Sequence, residues 1–499
     1  MSIFSQIQLN KPKRNTFDLS HERKMSADMG YLIPINLMEC VPGDSFKIKT
    51  AQLLRFAPLI APVMHKVSVY VHYFFVPNRI LWSNWEDFIT GGEDGNSTAV
   101  FPTVNFSQAN GALFDYLGLP TGQTTDVEQV SALPLHAYAK IYNEYYRDQN
   151  LIQPLPDTAV DGQNTNFNFQ LQKRAWQHDY FTSALPWTQK GAEATIPLGS
   201  IEPNYKDTSQ FIFSTGAIPT NPDNVTYVQG GNIEGSGTAG RIENLDTMDV
   251  DSTTINDLRN AFRLQEWLER NARGGSRYNE SILSHFGVVT SDARLQRPEF
   301  LGGSATPITI SEVLQTSGTA GDTEYTPTPQ ANMAGHGVSV GSSQSIKKYC
   351  EEHGYIMGIM SIMPKTAYQQ GIPKHWLKRD KFDFYWPSFA HLGEQAIQNK
   401  EIYISNDGLN DDVFGYTPRY AEYKYIPSSV HGTFKTSLDF WHLGRIFSTR
   451  PALNEDFIEM QSTDWERIFA VQNSETLYIH VHNYVKASRP MPYFGTPKF

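Results

Sequence analysis

Cysteine is nearly absent. Cys40 and Cys350 are the only two in 499 residues, and their spacing matches no metal or redox motif. That speaks against a disulfide framework and fits a reducing compartment. Charge is scarce as well: Asp, Glu, Lys and Arg make up 19% of the chain, against about 25% in an average soluble protein. A chain with so few charges hides much of its outside against neighbours. Long apolar runs are missing. Tyr355 to Met363 comes nearest and falls far short of the ~20 residues that span a bilayer, so no membrane partner is expected. The opening MSIFSQIQLNKPKR has neither the apolar stretch nor the cleavage site of a signal peptide. An excess of positive charge is lacking too, since 52 acidic residues against 41 Lys and Arg give a net −11. A uniformly basic nucleic-acid coat is thereby excluded.

What is present reads mainly as β-structure. His65 to His72 alternates apolar and polar residues and runs into Tyr73-Phe74-Phe75-Val76 before Pro77. Such alternation lays one face on a core. Ser45 to Thr50, Gln210 to Thr215, Tyr355 to Met363, Gly432 to Phe440 and Thr476 to Tyr484 are further predicted strands, rich in aromatic or β-branched residues. Helices are predicted over Ile255 to Arg273, with Thr254 and Asp257 as its N-terminal signal, over Leu135 to Arg147, and over Asp464 to Val471. Strands separated by such long excursions point to a β-sandwich with enlarged loops. No repeat of 20–50 residues is visible, which disfavours a solenoid or propeller. Glu202 to Asp251 holds eight acids against Lys206 and Arg241 and reads as an exposed acidic insertion.

Catalytic signatures are thin. Gly235 to Gly240 matches G-x-G-x-x-G, but its polar, unpatterned flanks offer no strand and helix to hold a pyrophosphate, so it reads as a loop. His480 and His482 share a strand face as cupin metal ligands do. The sequence then supplies Lys486 where a further ligand should be, and an ordinary histidine pair is expected. No nucleophile elbow, zincin or Walker sequence occurs. No catalytic residue, metal or cofactor is assigned, and the chain is not expected to be an enzyme.

Basic residues cluster despite the acidic total. Lys11, Lys13, Arg14, Arg23 and Lys24 crowd the N-terminal segment, and Lys486, Arg489 and Lys498 have no acid among them. Lys374, Lys378, Arg379 and Lys381 surround Trp376, a mixture of cations and an aromatic ring that suits single-stranded nucleic acid. These residues, Lys498 apart, are the candidate nucleic-acid contacts. Basic ends combined with an acidic insertion would give a shell positive inside and negative outside. The alternative reading is a carbohydrate- or receptor-binding β-sandwich module, with a cupin-like metalloenzyme more distant.

Longer segments carry a resemblance. They include Phe17-Asp18-Leu19-Ser20-His21-Glu22-Arg23-Lys24-Met25-Ser26, Pro42-Gly43-Asp44 and Arg55-Phe56-Ala57-Pro58-Leu59-Ile60-Ala61-Pro62. Tyr142-Asn143-Glu144-Tyr145-Tyr146-Arg147, Glu266-Trp267-Leu268-Glu269-Arg270, Asp383-Phe384-Tyr385-Trp386-Pro387 and Arg489-Pro490-Met491-Pro492-Tyr493-Phe494-Gly495 extend it along nearly the whole chain. Taken together the sequence resembles the major capsid proteins of the Microviridae, single-stranded DNA bacteriophages, and especially their gokushovirus-like branch.

The resemblance implies an eight-stranded antiparallel jelly-roll β-sandwich with long loop insertions carrying a few helices. It implies sixty copies in a T=1 shell around circular single-stranded DNA, located in the virion and assembled in the bacterial host cytoplasm. Minor virion and scaffolding proteins and a host-surface receptor are the other implied partners. On this expectation the chain divides into a basic arm (1–30) and first jelly-roll strands with a long helical loop (31–201). An acidic surface insertion (202–251) follows as the counterpart of a three-fold protrusion, shorter than in the best-known relatives. Helix-containing loops (252–345), the remaining strands (346–485) and a basic C-terminal arm (486–499) complete it.

Overall fold

The computed structural model describes residues 12–106, 111–120, 128–165, 170–192, 194–195, 254–318, 329–471 and 474–494, and strand backbone within 201–250. Lys11, Lys498 and the glycine run 235–240 lie outside the described residues.

Two antiparallel sheets face each other. Their strands are β1 (Asn15–Asp18), β2 (His21–Ala27), β3 (Ile33–Cys40), β4 (Ser45–Phe56), β5 (Val67–Pro77), β6 (Glu299–Pro307), β7 (Thr309–Leu314), β8 (Met333–Ser342), β9 (Ile346–Tyr349), β10 (Gly354–Pro364) and β11 (Leu477–Arg489). The larger sheet has the order β1-β11-β4-β8-β7, with β2 also on β11 and β9 also on β4. The smaller runs β6-β5-β10-β3. From β2 to β5, and again from β9 to β11, the chain changes sheet at each step, the winding of a jelly roll.

Inward alternation builds the core. Phe46, Ile48 and Leu54 of β4 and Ile479, Val481 and Val485 of β11 meet Val67, Val69 and Val71 of β5 and Ile356, Met360 and Ile362 of β10. The smaller sheet is covered on its other face as well, where Phe74, Val76, Met357 and Ile359 pack with the helix Leu133–Ile141. This explains the predominantly apolar sequence of β10, in which Ser361 is the one polar side chain besides Tyr355: a strand buried on both faces has no solvent side to show. A polar bridge links the sheets, with the Tyr73 hydroxyl donating to Asn483 Oδ1 (3.1 Å) and Asn483 Nδ2 donating to the Ile35 carbonyl (3.1 Å). Cys40 and Cys350 are free and buried. A hydrogen bond between them, then burial, holds the Cys40 thiol far above its ordinary range.

Most predicted strands are present, several of them longer, but Gly432 to Phe440 is not a strand. Gly432–Lys435 and Asp439–Trp441 are 3₁₀ turns, and Thr433 O accepts from both Thr436 N (3.1 Å) and Leu438 N (3.0 Å). Its apolar residues have no sheet to lie on; Phe434 stacks against Trp441 instead. Asp464 to Val471 likewise forms no α-helix. Two 3₁₀ turns, Ser462–Asp464 and Glu466–Ile468, are interrupted by the non-helical backbone of Trp465. The helix over 135–147 begins as an α-helix at Leu133 and finishes as a π-turn, Tyr142–Tyr146.

Residues Gln189–Arg273 form a separate compact unit. Within it three strand pairs nest one inside the next: Ile201–Tyr205 with Leu245–Val250, Phe213–Ser214 with Arg241–Ile242, and Thr226–Val228 with Asn232–Glu234. Nearly the whole of the helix Ile255–Gly274 belongs to it, capped as predicted: Thr254 Oγ1 accepts from Asp257 N (3.2 Å), and Asp257 Oδ2 accepts from Thr254 N (3.1 Å).

One buried carboxyl makes stability depend on pH. Glu459 pairs through its backbone with Ala175, and its carbonyl accepts from Trp176 Nε1 (3.2 Å). Burial, then the neighbouring Glu455, pushes its carboxyl up to about 7. Its folded value thus exceeds the unfolded one near 4.5, so its contribution is intact below that pH and lost as pH rises through 7. Glu459→Gln should leave the melting temperature nearly unchanged at pH 4 and raise stability by about 3 kcal/mol at pH 8. Equal melting curves for both proteins at pH 8 would refute this.

Candidate nucleic-acid interface

The outer face of the larger sheet is set by strand alternation. In β4, burying Phe46, Ile48 and Leu54 forces Lys47, Lys49 and Arg55 outward. In β11, burying Ile479, Val481 and Val485 leaves Tyr478, Tyr484 and Lys486 exposed. Register then fixes the neighbours. Lys486 stands opposite Lys47, which stands opposite Lys347 of β9. Lys24 of β2 stands opposite His480, and Tyr478 opposite Arg55. Three lysines side by side across three strands repel one another, an arrangement that weakens a sheet unless an anion lies over it.

Two acids share this face and both remain ionised. Asp18 stands opposite Lys486, and hydrogen bonds from the Ser20 hydroxyl and backbone N–H hold its carboxyl below the usual range. Glu22 lies 3.2 Å from His480 Nε2 and 3.5 Å from His482 Nδ1. Hydrogen bonds from those two imidazoles lower its pKa. The histidine pair thus serves a carboxylate. Among the described residues no cluster of His, Cys, Asp and Glu could hold a metal ion.

The structure sorts the candidate DNA contacts. Lys13, Lys24 and Lys486 are exposed. The strand pairing of Asn15 with Arg489 and Asp18 with Lys486 lays the two basic chain ends side by side. Arg14, exposed, donates to the carbonyls of Gly43 and Ser488 (3.4 Å to the latter). Arg489 is committed to the fold: Nη2 donates to the Glu39 carbonyl (2.6 Å), and Nε lies 3.4 Å from the buried Asp44 carboxylate. Arg23 donates to the Tyr116 carbonyl (2.7 Å).

The cluster around Trp376 divides in the same way. Lys374 pairs with Glu401 (2.8 Å), and Lys378 with Glu422 (3.0 Å) while sitting 3.7 Å from the centre of the Tyr423 ring. Trp376, Arg379 and Lys381 remain exposed. Sequence reasoning passed over Lys47, Lys49, Arg55 and Lys347, although the Lys-Ile-Lys alternation at 47–49 already signals a basic outer face.

Comparison with known proteins identifies the family. A family model described as Capsid protein (F protein) matches residues 5–499. The chain belongs to that family. It is 36% identical to capsid protein VP1 of Chlamydia phage 1 and to capsid protein VP1 of Bdellovibrio phage phiMH2K, and 31% identical to capsid protein VP1 of Spiroplasma virus 4. Each match covers 99% of this chain and 97% of the relative. The gokushovirus resemblance drawn from the sequence therefore holds. This is a structural capsid protein of a phage virion, built into a multi-copy shell, and not an enzyme. The alignment with the Chlamydia phage protein extends over 585 positions, more than the 499 residues here, so that relative contains segments this capsid protein does not.

Proposed function

We propose that sixty copies of this capsid protein close a T=1 shell around circular single-stranded DNA, with the outer face of the larger sheet turned toward the genome. The observation that carries the reading is the row Lys486–Lys47–Lys347, three like charges held in register by a chain whose net charge is −11. Phosphate over that row would relieve the repulsion. Lys13, Lys24, Lys49 and Arg55 extend the cationic field. Lys374, Lys378, Arg23 and Arg489, with partners inside the fold, stand outside it. Self-contact would use the exposed rings between Trp376 and Trp386, and assembly would take place in the host cytoplasm with minor virion and scaffolding proteins. The separate unit, Gln189–Arg273, is the candidate for a three-fold protrusion that meets a host receptor.

The test is the salt dependence of binding to an oligothymidylate. Each single-strand phosphate neutralised contributes a slope of about 0.7 in log K against log salt. Replacing Lys47, Lys49 and Lys347 together with Ala should make that slope shallower by about 2 and lower the DNA content of particles. An unchanged slope would turn the face away from the genome.

A further inference from the structure

Strand β11 carries four rings at alternate positions: Tyr478, His480, His482 and Tyr484. All four side chains stand on the side away from the core, since Ile479, Val481, Asn483 and Val485 between them are buried. Alternate side chains on a strand are about 6.7 Å apart. That is twice the ~3.4 Å spacing of nucleotides along one strand of a duplex. Along the backbone the row therefore runs at the pace of bases pulled apart from one another, while His482 and Tyr484 close on each other to act together.

The rings are also held in place. Glu22 receives both imidazoles from the neighbouring strand. The His482 and Tyr484 ring centres lie 4.0 Å apart, making one tilted platform. The two tyrosines at the ends are 47% and 49% exposed, so about half of each remains open to a ligand. Cations flank the row in register, with Lys24 opposite His480, Arg55 opposite Tyr478 and Lys49 opposite Tyr484. Aromatic platforms between positive charges are the general means of gripping an unpaired strand without reading its sequence.

We propose that the exposed rings of β11 form a stacking track for unpaired DNA bases, with Lys24, Lys49 and Arg55 taking the flanking phosphates. The proposal rests on the reading that this face meets the genome, and it adds a discrimination that charge alone cannot supply. Lysines attract any polyanion, whereas a duplex keeps its base faces hidden from the rings.

The experiment compares the full-length protein with a Tyr478→Ala/Tyr484→Ala double variant, using a thirty-nucleotide oligothymidylate and a thirty-base-pair duplex at one salt concentration. The double variant should bind the single strand about 30-fold more weakly and the duplex within about twofold of the parent. Its salt slope should be unchanged. Tyr478→Phe/Tyr484→Phe should bind like the parent, because stacking needs the ring and not the hydroxyl. Single-strand binding by the alanine variant within twofold of the parent would overturn the track while leaving the DNA-facing reading intact. A parent protein that binds neither probe at low salt would overturn both. Coincident melting curves of parent and variants exclude misfolding as the cause.

Discussion

Replacing Lys374 with Met is expected to cost the folded chain about 3–5 kcal/mol. The loss comes from what Lys374 leaves behind. The Glu401 side chain is 1% exposed and receives Lys374 Nζ (2.8 Å), the Tyr180 hydroxyl (2.9 Å) and Gln398 N (2.9 Å). Burial, then the charge of Glu401, holds the Tyr180 hydroxyl far above its ordinary range, so it stays a donor. Lys374 Nζ also donates to the Ala396 carbonyl (3.0 Å). Met fills the space of the lysine stem but strands a buried carboxylate with neutral donors only. The double change Lys374→Met/Glu401→Gln should recover most of the loss, because a neutral amide needs no cation. Lys381→Met is the control: that lysine is exposed, its ammonium 5.0 Å from the centre of the neighbouring Phe382 ring, and the change should stay within about 0.5 kcal/mol. Urea unfolding measures all three. A Lys374→Met protein as stable as the parent would return this lysine to the pool of surface cations.

Lys374 and Lys381 also show where the sequence stops speaking. Both sit in the same basic, aromatic stretch, and nothing local separates them. The difference is Glu401, brought to Lys374 by folding. The same holds for Arg23, whose partner is the Tyr116 carbonyl, and for Arg489, which meets Asp44. A charge run reveals which side chains are cationic but not which have already found a partner. Strand alternation is more informative, because it assigns faces. It makes β5, β10 and β11 visible in advance, and with them the outward lysines of β4, once alternation is read for its polar half. The glycine-bearing strand β8 stays hidden because glycine has low β-propensity. Its glycines answer close approach: a Cβ on Gly335 would lie 2.3 Å from the Ala61 carbonyl oxygen, and one on Gly337 would lie 2.6 Å from the Phe56 ring. At 432–440 the opposite happens, where strand-forming residues lack a sheet edge to join. Family membership was legible from the long matching segments, which short motifs could not supply.

Removing two exposed apolar side chains should block shell formation while leaving the fold untouched. Trp376 is 71% and Ile426 86% exposed, and both line one pocket of about 510 Å³ with Tyr425 and Val430. The exposed surface continues from there: Lys378 lies 5.8 Å from the Phe384 ring centre and 3.7 Å from that of Tyr423, and Tyr385 packs on Tyr420 and Tyr423. A soluble monomer rarely leaves so many rings in water, whereas a capsid subunit covers them with neighbours. Burying one such side chain contributes about 1.5–3 kcal/mol, and each factor of ten in association is worth about 1.4 kcal/mol. Trp376→Ser/Ile426→Ser should therefore raise the concentration at which particles form by at least about 100-fold, read by sedimentation. Thermal melting of the subunits should be unchanged, since neither side chain is in the core. Salt separates this effect from charge. Subunits of net −11 repel one another, so added salt should favour assembly of parent and variant alike and leave the gap between them in place. If salt closes the gap, or the variant assembles at the parent's concentration, these rings are not what joins one copy to the next.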